Sequence, residues 1–273
     1  MDMGNLRRRG LVLLGCGKMG SAMLAGWLKG GLPAASVWVI DPHPSDWLTA
    51  RAAEGLHLNA ELPSAPEIVL VAVKPQMMAE ALPVLRPFGS GETLFLSVAA
   101  GTPIRFYEGV LGAETPIVRA MPNTPAAIGR GISAIAGNAR ATEAHLALAE
   151  ALLGAVGQVV RLDGEHQMDA VTAVSGSGPA YVFHLIEALA AAGAAEGLPD
   201  GLALRLAKAT VAGAGALAEA AAESPAELRA NVTSPGGTTA AALEVLMDEK
   251  AGFPALLRRA VHAAAERGRE LGQ

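Results

Sequence analysis

Short runs of continuously apolar residues recur through the first half of the chain, separated by longer amphipathic stretches. The runs are LVLL (Leu11–Leu14), VWVI (Val37–Ile40), IVLVAV (68–73), TLFLSVA (93–99), PIVRAM (116–121), GISAIAG (Gly131–Gly137) and QVVRL (158–162). Such runs are typical of strands that are buried on both faces. The stretches between them, such as Lys18–Lys29 and 76–85, have a helical pattern. This alternation predicts a parallel sheet with right-handed helical crossovers.

After Asp163 the strand-forming runs stop and runs rich in Ala and Leu take over. Their pattern predicts helices over 180–192, 200–222, 239–247 and 254–271. Ser224, Pro225 and Glu227 fit a capping box with proline at the first helical position. Thr142 is expected to cap an earlier helix that runs to about residue 153. We therefore predict an α/β domain over 1–163 and an all-α domain over 164–273.

Composition and charge narrow the class of protein. The chain has 273 residues, 51% of them hydrophobic and 17% charged, so it can bury a substantial core. Its net charge is −5 without a long basic run, which argues against nucleic acid as a partner. The single cysteine, Cys16, excludes an internal disulfide and favours a reducing compartment. The longest apolar window, 170–186, is broken by SGSGP, so no membrane span is expected and the prediction is a cytoplasmic protein.

One Gly-rich turn follows the first apolar run. LLGCGKMG places Gly15, Gly17 and Gly20 in the spacing G-x-G-x-x-G between a predicted strand and a predicted helix. In that context the first glycine permits a tight turn, the second lets a pyrophosphate approach the backbone, and the third lets the helix pack on the strand. We therefore expect a Rossmann-type dinucleotide-binding domain; the alternative is a turn that serves packing alone.

Asp41 ends the second apolar run, about 20 residues after the Gly-rich turn, where such domains bind the ribose. A carboxylate there accepts from a 2′-hydroxyl and repels a 2′-phosphate, so Asp41 taken alone favours NADH over NADPH. His43 and Arg51 are close in sequence and offer positive charge against that repulsion. The alternative role is a turn residue before Pro42.

Other candidates also follow predicted strands. Lys74 is placed for a cofactor phosphate or ribose, or else is a solvated lysine. Asn123 stands in a turn between two prolines, either to present polar groups or as a plain loop. SGSGP lacks the glycine spacing of a nucleophile elbow and is interpreted as a helix start. The six histidines form no metal-binding pair, so no metal site is expected, and His184 is expected to lie in the core.

A second Gly-rich turn, VTSPGGTT at 232–239, precedes a predicted helix. A helix cap would account for one threonine and one glycine. Two of each favour an anion site at the start of the helix.

Six segments in order, GCGKMG, VAVKP, SVAAG, RAMPNTP, SGSGPAYVF and VTSPGGTT, resemble the pyrroline-5-carboxylate reductase family. The resemblance implies a helical dimerisation domain, a homodimer that assembles into a larger ring such as a decamer, and reduction of 1-pyrroline-5-carboxylate to L-proline by NADPH or NADH. Thr239 would contact the imine nitrogen as the catalytic residue, and the substrate would be bound by Ser234, Gly236, Gly237, Thr238 and Thr239. The cofactor would be bound by Gly15, Cys16, Gly17, Lys18, Met19, Gly20, Asp41, Asn59, Ala72, Val73, Lys74, Pro75, Val98, Ala99, Ala100, Asn123 and Asn231.

Three points keep the interpretation open. Many relatives carry Ser or Thr where this chain has Asp41, so the choice between NADH and NADPH is not decided. A β-hydroxyacid dehydrogenase shares the first turn, but neither Lys208 nor Lys250 stands in that family's G-x-x-x-N-x-x-K setting. A non-catalytic nucleotide-binding regulator is the third reading, and the intact SPGGTT segment argues against it.

Overall fold

The computed structural model describes residues 4–272. Its strands are β1 (Leu11–Leu14), β2 (Val37–Ile40), β3 (His57–Leu58), β4 (Ile68–Val71), β5 (Leu94–Ser97), β6 (Ile117–Met121), β7 (Gly131–Gly137) and β8 (Gly157–Arg161). Its α-helices are α1 (Gly4–Arg9), α2 (Lys18–Lys29), α3 (Asp46–Ala53), α4 (Met78–Ala81), α5 (Ile104–Leu111), α6 (Glu143–Leu153), α7 (Met168–Val171), α8 (Gly178–Ala195), α9 (Asp200–Ala220), α10 (Pro225–Asn231), α11 (Thr238–Leu246) and α12 (Phe253–Leu271).

The chain forms two compact units. The first unit comprises residues up to 176 together with those from 265 onward, and the second comprises 177–264. The helix α12 therefore contributes its beginning to the second unit and its end to the first. The division into compact units does not test the predicted boundary between 163 and 164, because that boundary separates domains by function. The boundary therefore stays a prediction.

All eight strands form one sheet in the first unit, in the order β3-β2-β1-β4-β5-β6-β7-β8. Its neighbours are parallel except β6 and β7, which are antiparallel. The prediction of a parallel sheet is therefore wrong at this one pair. Only residues 122–130 join the two strands, which is too short for a parallel crossover. The strand order reverses direction between β1 and β4, the place where open α/β sheets bind ligands.

Both faces of the sheet are covered, as the continuously apolar runs predicted. Every residue of β1, β4 and β5 is buried. One face packs against Met23 and Trp27 of α2, and the Trp27 indole donates to the Leu152 carbonyl at 2.8 Å. The other face packs against Tyr107 of α5. The sheet is therefore a rigid base for the loops at its edge.

The prediction of one helix over 76–85 is wrong, because most of this segment forms 3₁₀ turns and not α-helix. The α-helix α4 has only four residues, and 3₁₀ turns precede it at Pro75–Met77 and follow it at Leu82–Phe88. Pro83 and Pro87 explain this, because proline cannot donate an i→i−4 hydrogen bond. The caps were predicted correctly: Thr142 accepts from the His145 backbone N–H, and Ser224 forms a capping box with Glu227.

The second unit consists of helices whose apolar side chains are largely exposed within one chain. Phe183 is 59% exposed, Leu206 48% and Leu217 56%. His184, predicted to be a core residue, has a side chain that is 82% exposed and lies 3.2 Å from Glu187, so that prediction is wrong for the isolated chain.

Helix α9 is long and apolar enough to cross a membrane by length and composition, the one such helix among residues 4–272. Its apolar window has a mean hydropathy of 1.2, and 11% of that window is buried. A helix over 200–222 was predicted from the sequence, but no membrane span was expected, because charged residues interrupt the apolar run.

Candidate functional site

The turn after β1 needs glycine at two positions. Gly15 has a φ of +85°, and its N–H donates to the Ile40 carbonyl at 2.9 Å. A Cβ on Gly15 would lie 2.8 Å from Val73 Cγ1, and a Cβ on Gly20 would lie 2.6 Å from the Gly15 carbonyl oxygen. The first glycine therefore makes the turn, and the last lets α2 pack against β1 and β4.

Gly17 differs from its neighbours because it faces open space. It is the N-cap residue of α2, no side chain caps the helix there, and an added Cβ would meet nothing within 4 Å. The first N–H groups of a helix carry partial positive charge and need acceptors. This geometry fits a pyrophosphate, since backbone donors and a position without a side chain meet at the carboxyl end of β1.

Asp41, at the end of β2, is bound to the Gly-rich turn. Its Oδ2 accepts from the Cys16 N–H at 2.8 Å, and its Oδ1 accepts from the His43 N–H at 2.9 Å. The carboxylate therefore shapes the turn before Pro42 and lies beside the Gly-rich turn. Binding of the ribose by Asp41 stays a prediction. Arg51, which was considered as an offsetting charge, pairs instead with Glu54 at 2.8 Å.

Cys16 is buried within the same turn. Burial, and secondarily the nearby Asp41 carboxylate, raises the pKa of its thiol to about 12. The thiol therefore stays protonated at neutral pH and is not a nucleophile.

The remaining cofactor candidates of the first unit follow β3, β4, β5 and β6 along the same edge of the sheet. Asn59 follows β3, and Lys74 is exposed just beyond β4. Val98 and Ala99 are buried after β5, whereas Ala100 is exposed. Because parallel strands end at a common edge, the fold brings together Gly15, Cys16, Gly17, Lys18, Met19, Gly20, Asp41, Asn59, Ala72, Val73, Lys74, Pro75, Val98, Ala99 and Ala100.

Asn123, after β6, uses its side chain inside the unit. Its Oδ1 accepts from the Ile132 N–H at 3.0 Å, and its Nδ2 donates to the Ser175 carbonyl at 3.1 Å. The amide therefore joins β7 to the π-helical turn Thr172–Gly176. These contacts favour a structural contribution of this side chain.

Several buried polar side chains beneath the loop after β5 were not predicted from the sequence. Tyr107 shares a 2.5 Å hydrogen bond with Ser97, whose Oγ also accepts from the Ala99 N–H at 3.2 Å. Arg119, 5% exposed, donates to Glu165 Oε1 at 2.7 Å. Burial raises the pKa of Tyr107, partly offset by its hydrogen bond to Ser97. The available signal was the lone arginine inside IVRAM, since a buried cation requires a partner.

The second Gly-rich turn lies in the second unit, between α10 and α11. Its Gly237 N–H donates to the Ser234 carbonyl at 3.0 Å, with Pro235 and then Gly236 (φ +69°) at the central positions. Proline followed by a glycine of positive φ defines a type II turn. Asn231 ends α10 and is exposed. The structure thus groups Asn231, Ser234, Gly236, Gly237, Thr238 and Thr239 in one short segment.

Helix α11 begins directly after this turn. Its N-cap residue is Gly237, and no side chain caps it. Thr238 is exposed and Thr239 is half-buried in the first turn of the helix. The arrangement repeats that of α2: a Gly-rich turn delivers an uncapped helix N-terminus, which suits a carboxylate or phosphate.

The fold and the Gly-rich turn define a Rossmann-type dinucleotide-binding protein with a helical C-terminal dimerisation domain. The chain is 40% identical over 266 residues to the pyrroline-5-carboxylate reductase of Pseudomonas aeruginosa, covering 96% of this chain and 97% of the relative. The chain belongs to the pyrroline-5-carboxylate reductase family.

Family models and solved structures point to the same family as this relative. Residues 165–271 match the model described as pyrroline-5-carboxylate reductase dimerisation, and 10–101 match NADP oxidoreductase coenzyme F420-dependent. A pyrroline-5-carboxylate reductase of Coxiella burnetii has a TM-score of 0.90 and 32% identity, covering 97% of this chain and 99% of that one. A pyrroline carboxylate reductase of Plasmodium falciparum with NADP bound has a TM-score of 0.83 and 28% identity, covering 98% and 99%. The predicted family and fold are confirmed.

Proposed function

We propose that this chain reduces 1-pyrroline-5-carboxylate to L-proline with NADPH or NADH. The observation that carries the proposal is the pair of Gly-rich turns at the uncapped starts of α2 and α11, in a chain with pyrroline-5-carboxylate reductases as relatives over 96% of its length. The reaction involves two anions, the cofactor's pyrophosphate and the substrate's carboxylate. Two uncapped helix N-termini match that requirement.

The first turn and the sheet edge are proposed to hold the cofactor. The N–H groups at the start of α2 bind the pyrophosphate, and the loops after β4 and β5 line the nicotinamide half. Asn231, in the second unit, is also proposed as a cofactor-binding residue. We propose 1–163 as the dinucleotide-binding domain and 164–273 as the dimerisation and substrate-binding domain; the match of 165–271 to the dimerisation model supports this boundary.

The second turn is proposed to hold the substrate. The N–H groups at the start of α11 receive the carboxylate, and Gly236 and Gly237 leave room for its approach. This design needs no buried lysine or arginine. Thr239 lies in the first turn of the same helix. Its hydroxyl is proposed to contact the ring nitrogen of a substrate whose carboxylate is bound there.

The nicotinamide, when bound, supplies the hydride that adds to the imine carbon. Thr239 donates a hydrogen bond to the imine nitrogen and draws electrons from the carbon, which makes the carbon more electrophilic. The nitrogen takes a proton from solvent, directly or relayed through the Thr239 hydroxyl, and becomes the amine of proline. An unperturbed hydroxyl is a weak acid, so Thr239 polarises or relays rather than acting as a general acid. Much of the rate comes from holding the two reactants in position.

We propose that the second unit pairs with another copy of this chain. Leucines and a phenylalanine of α8 and α9 are exposed in the single chain. This supports the proposal that a second copy covers this apolar face. A Cβ on Gly213 or on Gly215 would meet nothing within 4 Å in one chain, so these two positions leave room for a partner helix to approach closely. A larger ring such as a decamer and a cytoplasmic location are part of the same proposal. Sedimentation equilibrium should give at least a dimer; a monomer at micromolar concentration would contradict it.

The activity is tested by steady-state kinetics on purified protein with 1-pyrroline-5-carboxylate and each reduced cofactor. The expected result is oxidation of NADH or NADPH with equimolar formation of L-proline. If neither cofactor is oxidised, the proposal is wrong. Turnover of a β-hydroxyacid instead would favour the dehydrogenase reading, and nucleotide binding without turnover of either substrate would favour a regulator.

A further inference from the structure

Asn59 spans the backbone of Asp41 with both groups of its side-chain amide. Its Oδ1 accepts from the Asp41 N–H at 2.9 Å, and its Nδ2 donates to the Asp41 carbonyl at 2.8 Å. Its own N–H donates to the Val39 carbonyl at 2.8 Å. The amide thus takes the place of a further residue of β3 in the ladder with β2.

The backbone of Asn59 is also unusual. Its φ is +50°, and among residues 4–272 only Ser90, at +57°, is another non-glycine with positive φ. Asparagine enters this region more readily than most residues. Alanine would lose both hydrogen bonds and aspartate would lose the donor, whereas asparagine combines tolerance of this conformation with a donor and an acceptor.

The consequence is a fixed carboxylate. Asp41 is held through its backbone by Asn59 and through its side chain by the N–H groups of Cys16 and His43. Within the described part of the chain, no ion pair includes Asp41. Its charge is therefore not neutralised by a cation, and each oxygen retains a lone pair for a further donor.

We propose that Asn59 is a positioning residue for the choice of cofactor: it fixes Asp41 so that the carboxylate accepts from the ribose 2′-hydroxyl of NADH and repels the 2′-phosphate of NADPH. The inference rests on the proposed function and deepens it. Asn59 acts through Asp41, rather than by a direct contact with the nucleotide. Removing Asn59 and removing Asp41 should therefore have overlapping effects.

The test measures binding of NAD⁺ and NADP⁺ by calorimetry, which requires no turnover. Wild type should bind NAD⁺ more tightly. Asn59→Gly, which tolerates positive φ but lacks the amide, should lower the preference for NAD⁺ about tenfold, as expected for the loss of a hydrogen bond or two. Asn59→Asp keeps one acceptor and should give a smaller shift. Ser90→Gly is the matched control, since it relaxes the other positive-φ position, and it should leave the ratio of dissociation constants unchanged.

A double variant separates positioning from direct contact. In an Asp41→Ser background, Asn59→Gly should cause no further change in the ratio. A wild type that prefers NADP⁺, an unchanged ratio in both Asn59 variants, or an equal effect of Asn59→Gly with and without Asp41 would overturn the proposal. Because oxidised nucleotides are bound without reaction, a protein that fails to reduce pyrroline-5-carboxylate still gives a clear answer.

Discussion

Arg119 of β6 and Glu165 form an ion pair at 2.7 Å whose arginine is almost wholly buried. The same Glu165 oxygen accepts from the Ile104 N–H at 2.8 Å, at the start of α5. The Glu165 carboxylate therefore connects the segment after β8 both to β6 and to the start of α5. Tyr107 and Ser97 form a second buried polar pair beneath the loop after β5, which is proposed to line the nicotinamide.

Glu165→Leu should lower the free energy of unfolding by about 3 kcal/mol, because it leaves a buried guanidinium without a partner. Glu165→Gln keeps an acceptor for Ile104 and should cost less. The double variant Arg119→Met with Glu165→Leu should recover part of the loss. Urea unfolding measures all three; a double variant less stable than Glu165→Leu would show that the ion pair is not the cause.

Gly20→Ala and Gly17→Ala should separate folding from cofactor binding. A Cβ at 20 would lie 2.6 Å from the Gly15 carbonyl oxygen, so this variant should lose about 2 kcal/mol of stability. A Cβ at 17 meets nothing in the protein, so Gly17→Ala should melt close to wild type and yet bind NAD⁺ or NADP⁺ about tenfold more weakly. Thermal melting and calorimetry make the comparison. Wild-type affinity in Gly17→Ala would remove position 17 from the pyrophosphate site.

The thiol of Cys16 should make stability depend on alkaline pH. Its pKa is about 12 in the folded chain against 9.0 for an ordinary thiol, so the folded state binds this proton more tightly. The contribution is fully present below pH 9 and is lost as pH rises from 9 toward 12, by at most about 1.4 kcal/mol per pH unit. Cys16→Ala should lack this component. Urea midpoints at pH 8 and 10.5 test it, and an equal decrease in both proteins would contradict it.

Asp41→Ser should shift the ratio of kcat/KM for NADH and NADPH toward NADPH by about tenfold or more, because a repulsive charge beside the 2′-phosphate is removed. Asp46→Ser is the control: it removes an exposed carboxylate from the first turn of α3, five positions along the chain. An unchanged ratio in Asp41→Ser would show that Asp41 does not read the ribose.

Thr239→Val should lower kcat by about a hundredfold while leaving cofactor affinity near wild type, because it removes the hydroxyl proposed to polarise the imine. Thr239→Ser restores a hydroxyl and should recover part of the lost turnover. Thr233→Val is the matched control, because it removes a hydroxyl that donates to the Arg229 carbonyl of the preceding helix α10, and it should stay within about twofold of wild-type kcat. Normal turnover by Thr239→Val would exclude this residue from the mechanism.

The sequence by itself determined the elements whose signal is local. Continuous apolar runs predicted the central strands because a strand covered on both faces has no polar side, and β1 and β2 begin and end where predicted. The caps at Thr142 and Ser224 and the turn at Gly236 follow from hydrogen bonds and dihedral angles set within four residues. The G-x-G-x-x-G spacing belongs to the same group.

Tertiary structure decided what depends on which segments meet. Asn59 binds Asp41 across 18 positions and Arg119 binds Glu165 across 46, and neither partner can be identified from its neighbours in sequence. The antiparallel pairing of β7 with β6 and the exposure of His184 also depend on the tertiary structure. Side-chain amides and buried charges find partners only after the sheet has brought distant loops to one edge, so their roles emerge from the folded chain.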